Sequence, residues 1–363
     1  MPPAPSELIE RIPGGRAFAA LSRRVRTLIV AGVLFLVLFL LALLMPVPYV
    51  ILVPGPTYNT LGRDPYGKDS VIVLTGKTAR ATSGHLNMTT VRIQDENVTA
   101  AAALMAWLRG DQIVLPKTAL TPPGTSDEEQ QKQDAADFAG SQDNATAAAL
   151  CELGYPRGFG VLSVQPDGPS HGILRTGDEF VTVDGRPADS PAKLQAITGS
   201  LTPGQKVAVV VKRNGSPVTQ QVTVGTPVQG SKGARLGVTI GTTCLAPFDV
   251  KINLEEVGGP SAGLMFALAI VDKAGTRDLT GGRYVAGTGE IDSTGAVSPI
   301  GGIQLKMIAA RRAGATVFLA PAGNCSDVRK DTPGGLNVVK VSSLHGAIQD
   351  LLDLQAGKPV PHC

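Results

Sequence analysis

GGPSAG, at residues 258–263, runs directly into the apolar stretch LMFALAIV at residues 264–271. Two glycines and a proline interrupt whatever precedes them, and an unbroken apolar run comes after. The pattern predicts a buried helix starting beside Ser261. The first N–H groups of a helix have no partner within it, and the helix dipole adds partial positive charge there. Ser261 therefore stands where backbone donors favour developing negative charge. Capping is the commonest task of a serine in this place, so this stretch alone leaves both roles open.

The next block changes the balance. Residues 287–306 read GTGEIDSTGAVSPIGGIQLK, with MIAA at 307–310, AGA at 313–315, a predicted strand at 316–319, then Pro321 and Asn324. Together with GPSAG around Ser261, this ordered set resembles the proteolytic domain of the Lon family, over a region from about Leu236 to Leu354. The resemblance implies an α+β proteolytic domain with Ser261 as nucleophile, Lys306 as general base and Thr288 as an auxiliary group orienting the lysine. Lys306 precedes the apolar residues Met307, Ile308, Ala309 and Ala310. Burial there would lower its pKa and free an amine to take the serine proton. Serine with lysine is one known alternative to Ser-His-Asp; the competing reading of Lys306 alone is an exposed helix lysine. Two positions depart from the family pattern. Leu305 and Gly258 stand where acidic residues are common, just before the lysine and three positions before the serine.

Between residues 158 and 228 the texture is that of a β-rich module. Short apolar runs alternate with turns such as Asp184-Gly185 and Asn214-Gly215, and one helix fits at residues 191–199. The run from Gly168-Pro169-Ser170 through Gly177-Asp178-Glu179-Phe180 to Asp184-Gly185 resembles a bacterial PDZ domain. The resemblance implies a peptide-binding loop at Gly158, Phe159, Gly160 and Val161, whose N–H groups would receive a terminal carboxylate while a strand edge accepts the peptide. A β-rich spacer without a ligand is the alternative.

Residues 28–45, LIVAGVLFLVLFLLALLM, carry no charge. As a helix they would cover roughly 27 Å, near the hydrocarbon thickness of a bilayer. Pro46 and Pro48 stop the run. Arg11, Arg16, Arg23, Arg24 and Arg26 precede it and the next charge is Arg63, which places the N-terminus in the cytoplasm and the bulk of the chain outside. A cleaved signal peptide is the rival; its apolar region is usually shorter and ends in a small-x-small site. The anchor, PDZ-like module and Lon-like domain together resemble the membrane-bound PDZ–Lon proteases of bacteria.

The expected organisation is a cytoplasmic N-terminus at 1–27, a transmembrane helix at 28–45, a β-rich and helical extracytoplasmic region at 46–157, the PDZ-like domain at 158–228 and the proteolytic domain at 232–356. Within the third region, residues 98–109 and a segment ending near Gly154 read as helices. Gly62, Gly67 and Lys68 superficially match a phosphate-binding loop. Asp69 replaces the hydroxyl residue that would hold magnesium and no strand-to-helix context surrounds them, so a turn is expected. The net charge of +3 over 363 residues argues against a nucleic-acid surface. Cys151, Cys244, Cys325 and Cys363 are too far apart for a Cys-x-x-Cys site, and disulfides would persist outside the cytoplasm. Cys244 and Cys325, sharing a domain by these boundaries, are the expected pair. His85, His171, His345 and His362 lack the pattern of a His-based triad.

The expected function is ATP-independent, membrane-anchored serine endopeptidase activity on extracytoplasmic polypeptides, with PDZ-mediated selection. No metal or organic cofactor is implied; the expected partners are polypeptide substrates, membrane lipid and, from the ring-forming tendency of Lon-type domains, further copies of the chain. The alternatives are a non-catalytic anchored peptide-binding scaffold and a carboxy-terminal processing protease, which also combines PDZ, serine and lysine.

Overall fold

The computed structural model describes residues 22–63, 69–95, 98–120, 124–227, 233–254 and 258–363. The expected turn at Gly67 and Lys68, and Arg11 and Arg16, lie outside the described residues. The first elements are α1 (Arg23–Leu44), β1 (Tyr49–Asn59), β2 (Ile72–Thr75), β3 (His85–Gln94), α2 (Ala100–Arg109), β4 (Ile113–Pro116) and α3 (Asp127–Glu152). Next come β5 (Arg157–Val164), β6 (Glu179–Val183), β7 (Arg186–Pro187), α4 (Pro191–Ser200), β8 (Lys206–Arg213), β9 (Ser216–Thr223) and β10 (Val238–Cys244). The last are β11 (Asp249–Ile252), α5 (Gly263–Ala274), β12 (Tyr284–Gly287), β13 (Glu290–Ile291), β14 (Val297–Ser298), α6 (Ile303–Arg312), β15 (Val317–Pro321), α7 (Cys325–Val328), β16 (Asn337–Val341) and α8 (Leu344–Gln355).

The chain divides into two compact units, Met1–Leu52 with Ile93–Leu120, and Val53–Arg92 with Thr121–Cys363. In the smaller unit, α1 is a 22-residue helix without a buried residue, capped by Ser22 and long and apolar enough to cross a membrane. It ends at the expected prolines. Residues 49–52 pair antiparallel with β4. Thr99 caps α2, and Gly110, at φ 74°, ends it in a left-handed conformation that glycine adopts without strain.

In the larger unit, one sheet runs in the order β16-β15-β12-β3-β1. β12 is parallel to both β3 and β15, and β15 is parallel to β16. Parallel strands covered on both faces read as continuous apolar runs, and all five residues of β15 are buried. Val285, Leu319 and Val339 join the core built on α5, whereas Ala286, Phe318 and Val338 join the core with Ile303 and Met307 of α6. All twelve residues of α5 are buried, and α3 packs across it with Phe138 edge-on to Phe266. Residues assigned to a separate region at 46–157 therefore supply strands and a covering helix to the sheet that carries the C-terminal domain.

The second sheet has the order β10-β5-β6-β8-β9, with β7 on β6 and α4 closing its core through Leu194 and Ile197. Asp184-Gly185 and Asn214-Gly215 form tight turns with positive φ at both residues, as the sequence predicts. β10 lies beyond the expected boundary at 228–232 yet pairs antiparallel with β5. Its own apolar neighbours explain this: Leu236 belongs to the core of this sheet, with Val238 and Ile240 packed on it.

The cysteine pairing differs from expectation. Cys151 bonds Cys244 and Cys325 bonds Cys363, with Cα–Cα distances of 5.0 and 4.9 Å. The expected Cys244–Cys325 pair fails because Cys244 ends a strand of the PDZ-like sheet, beside the last turn of α3, while Cys325 opens α7.

Candidate active site

Three elements converge at the carboxyl end of β12, the end of a parallel strand where α/β folds place their sites. Thr288 directly succeeds β12. Ser261 precedes α5, and Lys306 sits in the first turn and a half of α6, which Gly302 opens from a left-handed conformation at φ 68°. Lys306 Nζ lies 2.7 Å from Ser261 Oγ and 3.0 Å from Thr288 Oγ1. Thr288 Oγ1 donates to the Ser261 carbonyl at 2.9 Å, and the Gly289 N–H donates to the same oxygen at 2.8 Å. The three residues expected from sequence are thus brought together.

Burial decides the lysine's chemistry. Lys306 is 4% exposed, and desolvation pulls its pKa down to about 7 from an ordinary 10.5. The amine is thus available near neutrality. Among the described residues, the N–H groups of Ser261, Ala262 and Gly263 have no hydrogen-bond partner in the protein. They lead into α5, so the dipole and the free donors act on the same point.

The segment holding Ser261 is fixed from α3. The Gly259 N–H donates to the Asp134 carbonyl at 3.1 Å, and Ser141 Oγ donates to the Pro260 carbonyl at 2.8 Å. Gly263 is required here, since a Cβ would stand 2.7 Å from Ile291 Cγ2 and 2.8 Å from Ser141 Oγ. The departure at Gly258 also has a structural counterpart. A Cβ at Gly258 would lie 3.2 Å from Asp134 Cβ, so an acidic side chain from α3 borders the position that lacks one. Sequence reasoning missed Asp134 and Ser141, because only the fold brings α3 against residues 258–263. Leu305 is buried and faces away from solvent.

These observations agree with the comparisons to known proteins. Residues 249–353 match the Lon protease (S16) C-terminal proteolytic domain, and residues 131–224 match the PDZ domain. The chain carries a Lon-type proteolytic domain. Lon protease 1 of Bacillus subtilis (strain 168) is 31% identical over 165 residues, covering 43% of this chain and 21% of that protein. Lon protease of Heliobacterium modesticaldum is 46% identical over 86 residues, 23% of this chain and 10% of that protein. This chain therefore spans about a fifth or less of the length of these curated relatives. A solved PDZ domain of the SdrC-like protein from Listeria monocytogenes aligns with 23% of this chain and 86% of that one, at 22% identity and a TM-score of 0.21.

The peptide-binding loop expected at Gly158, Phe159, Gly160 and Val161 is corrected by the fold. All four lie within β5, paired to Thr243, Thr242, Gly241 and Ile240 of β10, while Gly160 also pairs with Glu179 of β6. At Gly160, where β5 is paired on both sides, the strand offers no edge to a peptide. β10 is the terminal strand of the PDZ sheet. Beside it, a cavity of about 380 Å³ is lined by Leu194, Gln195 and Thr198 of α4 and by Leu236, Val238 and Ile240. Among the described residues the N–H groups of Leu236 and Gly237, just before β10, are unpartnered. A second motif, Arg235-Leu236-Gly237-Val238, could have signalled this place in the sequence.

Proposed function

We propose that this protein is an ATP-independent, membrane-anchored serine endopeptidase acting on extracytoplasmic polypeptides through Ser261 and Lys306. The observation that carries the reading is the 2.7 Å approach of Lys306 Nζ to Ser261 Oγ by a lysine whose pKa burial brings to about 7. Neutral Lys306 accepts the Ser261 proton as Oγ attacks the scissile carbonyl. The N–H groups of residues 261–263 stabilise the oxyanion. Collapse breaks the C–N bond, Lys306 returns the proton to the leaving amine, and an acyl ester remains on Ser261. Water, deprotonated by Lys306, then releases the acid and restores the serine.

The PDZ groove between β10 and α4 would receive an extended peptide as an added strand, its terminal carboxylate meeting the N–H groups of Leu236 and Gly237. Support for the compartment comes from α1, from the arginines preceding it and from two disulfides, which persist in oxidising surroundings. An ATP-free compartment implies substrates already unfolded or with exposed loops.

The test is cleavage of casein without ATP by the full chain, compared with Ser261→Ala and Lys306→Ala. Cleavage by the parent and its loss in both variants is expected. Equal cleavage by all three would remove the dyad assignment. A folded parent that neither cleaves nor forms a Ser261 adduct with a serine-directed acylating probe would instead favour the scaffold.

A further inference from the structure

The helix α2 is built inside out. Its sequence, AAAALMAWLR, turns Ala106 inward at 2% exposure while Leu104, Met105, Trp107 and Leu108 are 49%, 52%, 71% and 62% exposed. At about 100° per residue these four fall within an arc of roughly 160°. A helix covering a water-soluble core does the opposite, burying its large apolar side chains and exposing small or polar ones. A contiguous apolar face of this kind marks a surface that meets something other than water.

The neighbouring element says what it meets. Within the same unit, α1 and α2 are in contact. The Ala100 N–H donates to the Met45 carbonyl at 3.1 Å, the Val47 N–H donates to the Val98 carbonyl at 2.8 Å, and Pro46 pairs with Thr99. α2 therefore begins level with the point where the apolar helix α1 ends. Its only charged residue is Arg109, in the last turn and exposed. An aromatic ring and a basic side chain at the end of a span are what the headgroup layer accommodates.

We propose that α2 lies in the interfacial layer of the membrane that α1 crosses, with Leu104, Met105, Trp107 and Leu108 inserted among the upper acyl chains. The proposal rests on α1 being a membrane span. It makes the smaller unit a two-part attachment, a spanning helix and a helix lying on the surface, which limits tilting and rotation of that unit in the bilayer.

Trp107 is the only tryptophan of the chain, so its fluorescence reports on α2 alone. The full chain is reconstituted into phosphatidylcholine vesicles with and without lipids brominated high on the acyl chain. We expect Trp107 emission to be quenched by roughly half or more by the brominated lipid and shielded from acrylamide, and the double change Leu104→Glu with Leu108→Glu to reverse both. Protein that resists carbonate extraction but whose Trp107 is quenched freely by acrylamide and not by bromine overturns the proposal while leaving α1 as a span. Trp107 shielded from acrylamide but untouched by bromine overturns it in favour of a protein partner, a second copy included. Complete release by carbonate refutes the span, and the placement of α2 falls with it.

Discussion

Thr288 Oγ1 donates to the Ser261 carbonyl at 2.9 Å and stands 3.0 Å from Lys306 Nζ. A hydroxyl whose proton is engaged can only accept from the amine, so it holds one Lys306 N–H and leaves the lone pair for Ser261 Oγ. Thr288→Val keeps the shape and removes both bonds. We expect kcat/KM on a peptide substrate to fall roughly 10- to 100-fold, and Thr288→Ser to restore most of it. Equal loss in Val and Ser variants would show that packing, not the hydroxyl, matters.

Lys306 titrates near 7 because burial disfavours its charge. Only the neutral amine takes a proton, so kcat/KM should rise with pH through about 7 and then level off. Lys306→Arg, charged at every accessible pH, should be inactive throughout. A profile flat from about pH 6 to about 9 would remove Lys306 as the base.

The same group shapes stability. The unfolded chain keeps the Lys306 proton up to about 10.5, whereas the folded chain releases it near 7. The unfolded state binds more protons between those values, so stability climbs with pH across that window. Lys306→Met should lack this slope and, at or below neutrality, gain roughly 2–4 kcal/mol by removing a buried charge. Urea unfolding of both proteins at several pH values measures it.

Gly263 is a packing requirement rather than a flexible joint. A methyl there meets Ile291 and Ser141 at under 3 Å, and neither neighbour is free, since Ile291 is 1% exposed and Ser141 holds Pro260. Gly263→Ala should cost roughly 1–3 kcal/mol and lower kcat more than it raises KM, by displacing Ser261. Unchanged stability would mean that α3 gives way.

The three side chains that meet at the candidate site lie in two short segments, and it is the resemblance of those segments to the Lon proteolytic domain, not their local pattern alone, that singles them out. GPSAG announces a helix start at Ser261, and the block from Gly287 to Lys306 supplies a turn and an apolar helix. The features that escaped reading depend on contacts distant in sequence. Nothing in residues 127–152 says that Ser141 and Asp134 border Pro260 and Gly258. The strand β10 looks, in sequence, like the start of the proteolytic domain, but its pairing with β5 and its apolar residues Val238 and Ile240 tie it to the PDZ sheet and core. That displacement also misled the cysteine pairing, because Cys244 travels with β10. Gly158–Val161 has the glycines of a binding loop, but Gly160 is small for another reason: a Cβ would stand 2.4 Å from the Asp178 carbonyl oxygen of the adjacent strand region.

Asp143, two residues beyond Ser141 on α3, offers the last test. Its carboxylate accepts from Thr176 Oγ1 of the PDZ domain, yet burial outweighs that bond and pushes its pKa up to about 6 from 3.8. It borders a cavity of about 610 Å³ that also holds His171, Arg175, Asp178, Arg213 and Asp249. Arg213 is committed to Asp178 at 2.7 Å and Arg175 reaches Asp249 at 3.3 Å, so neither cation is placed to neutralise Asp143. The folded chain holds the Asp143 proton up to about 6 while the unfolded chain loses it near 3.8. Stability from this group is present in full below the lower value and is lost as pH rises through the upper one. Asp143→Asn removes the charge and retains an acceptor for Thr176. It should stabilise the protein by roughly 1–3 kcal/mol above pH 7, with the gain shrinking toward zero as pH falls to about 4. Urea midpoints for the two proteins across that range decide the matter. A variant less stable than the parent above pH 7 would mean that Arg175 or Arg213 turns from its present partner to Asp143, making the carboxylate a charged bond between α3 and the PDZ domain.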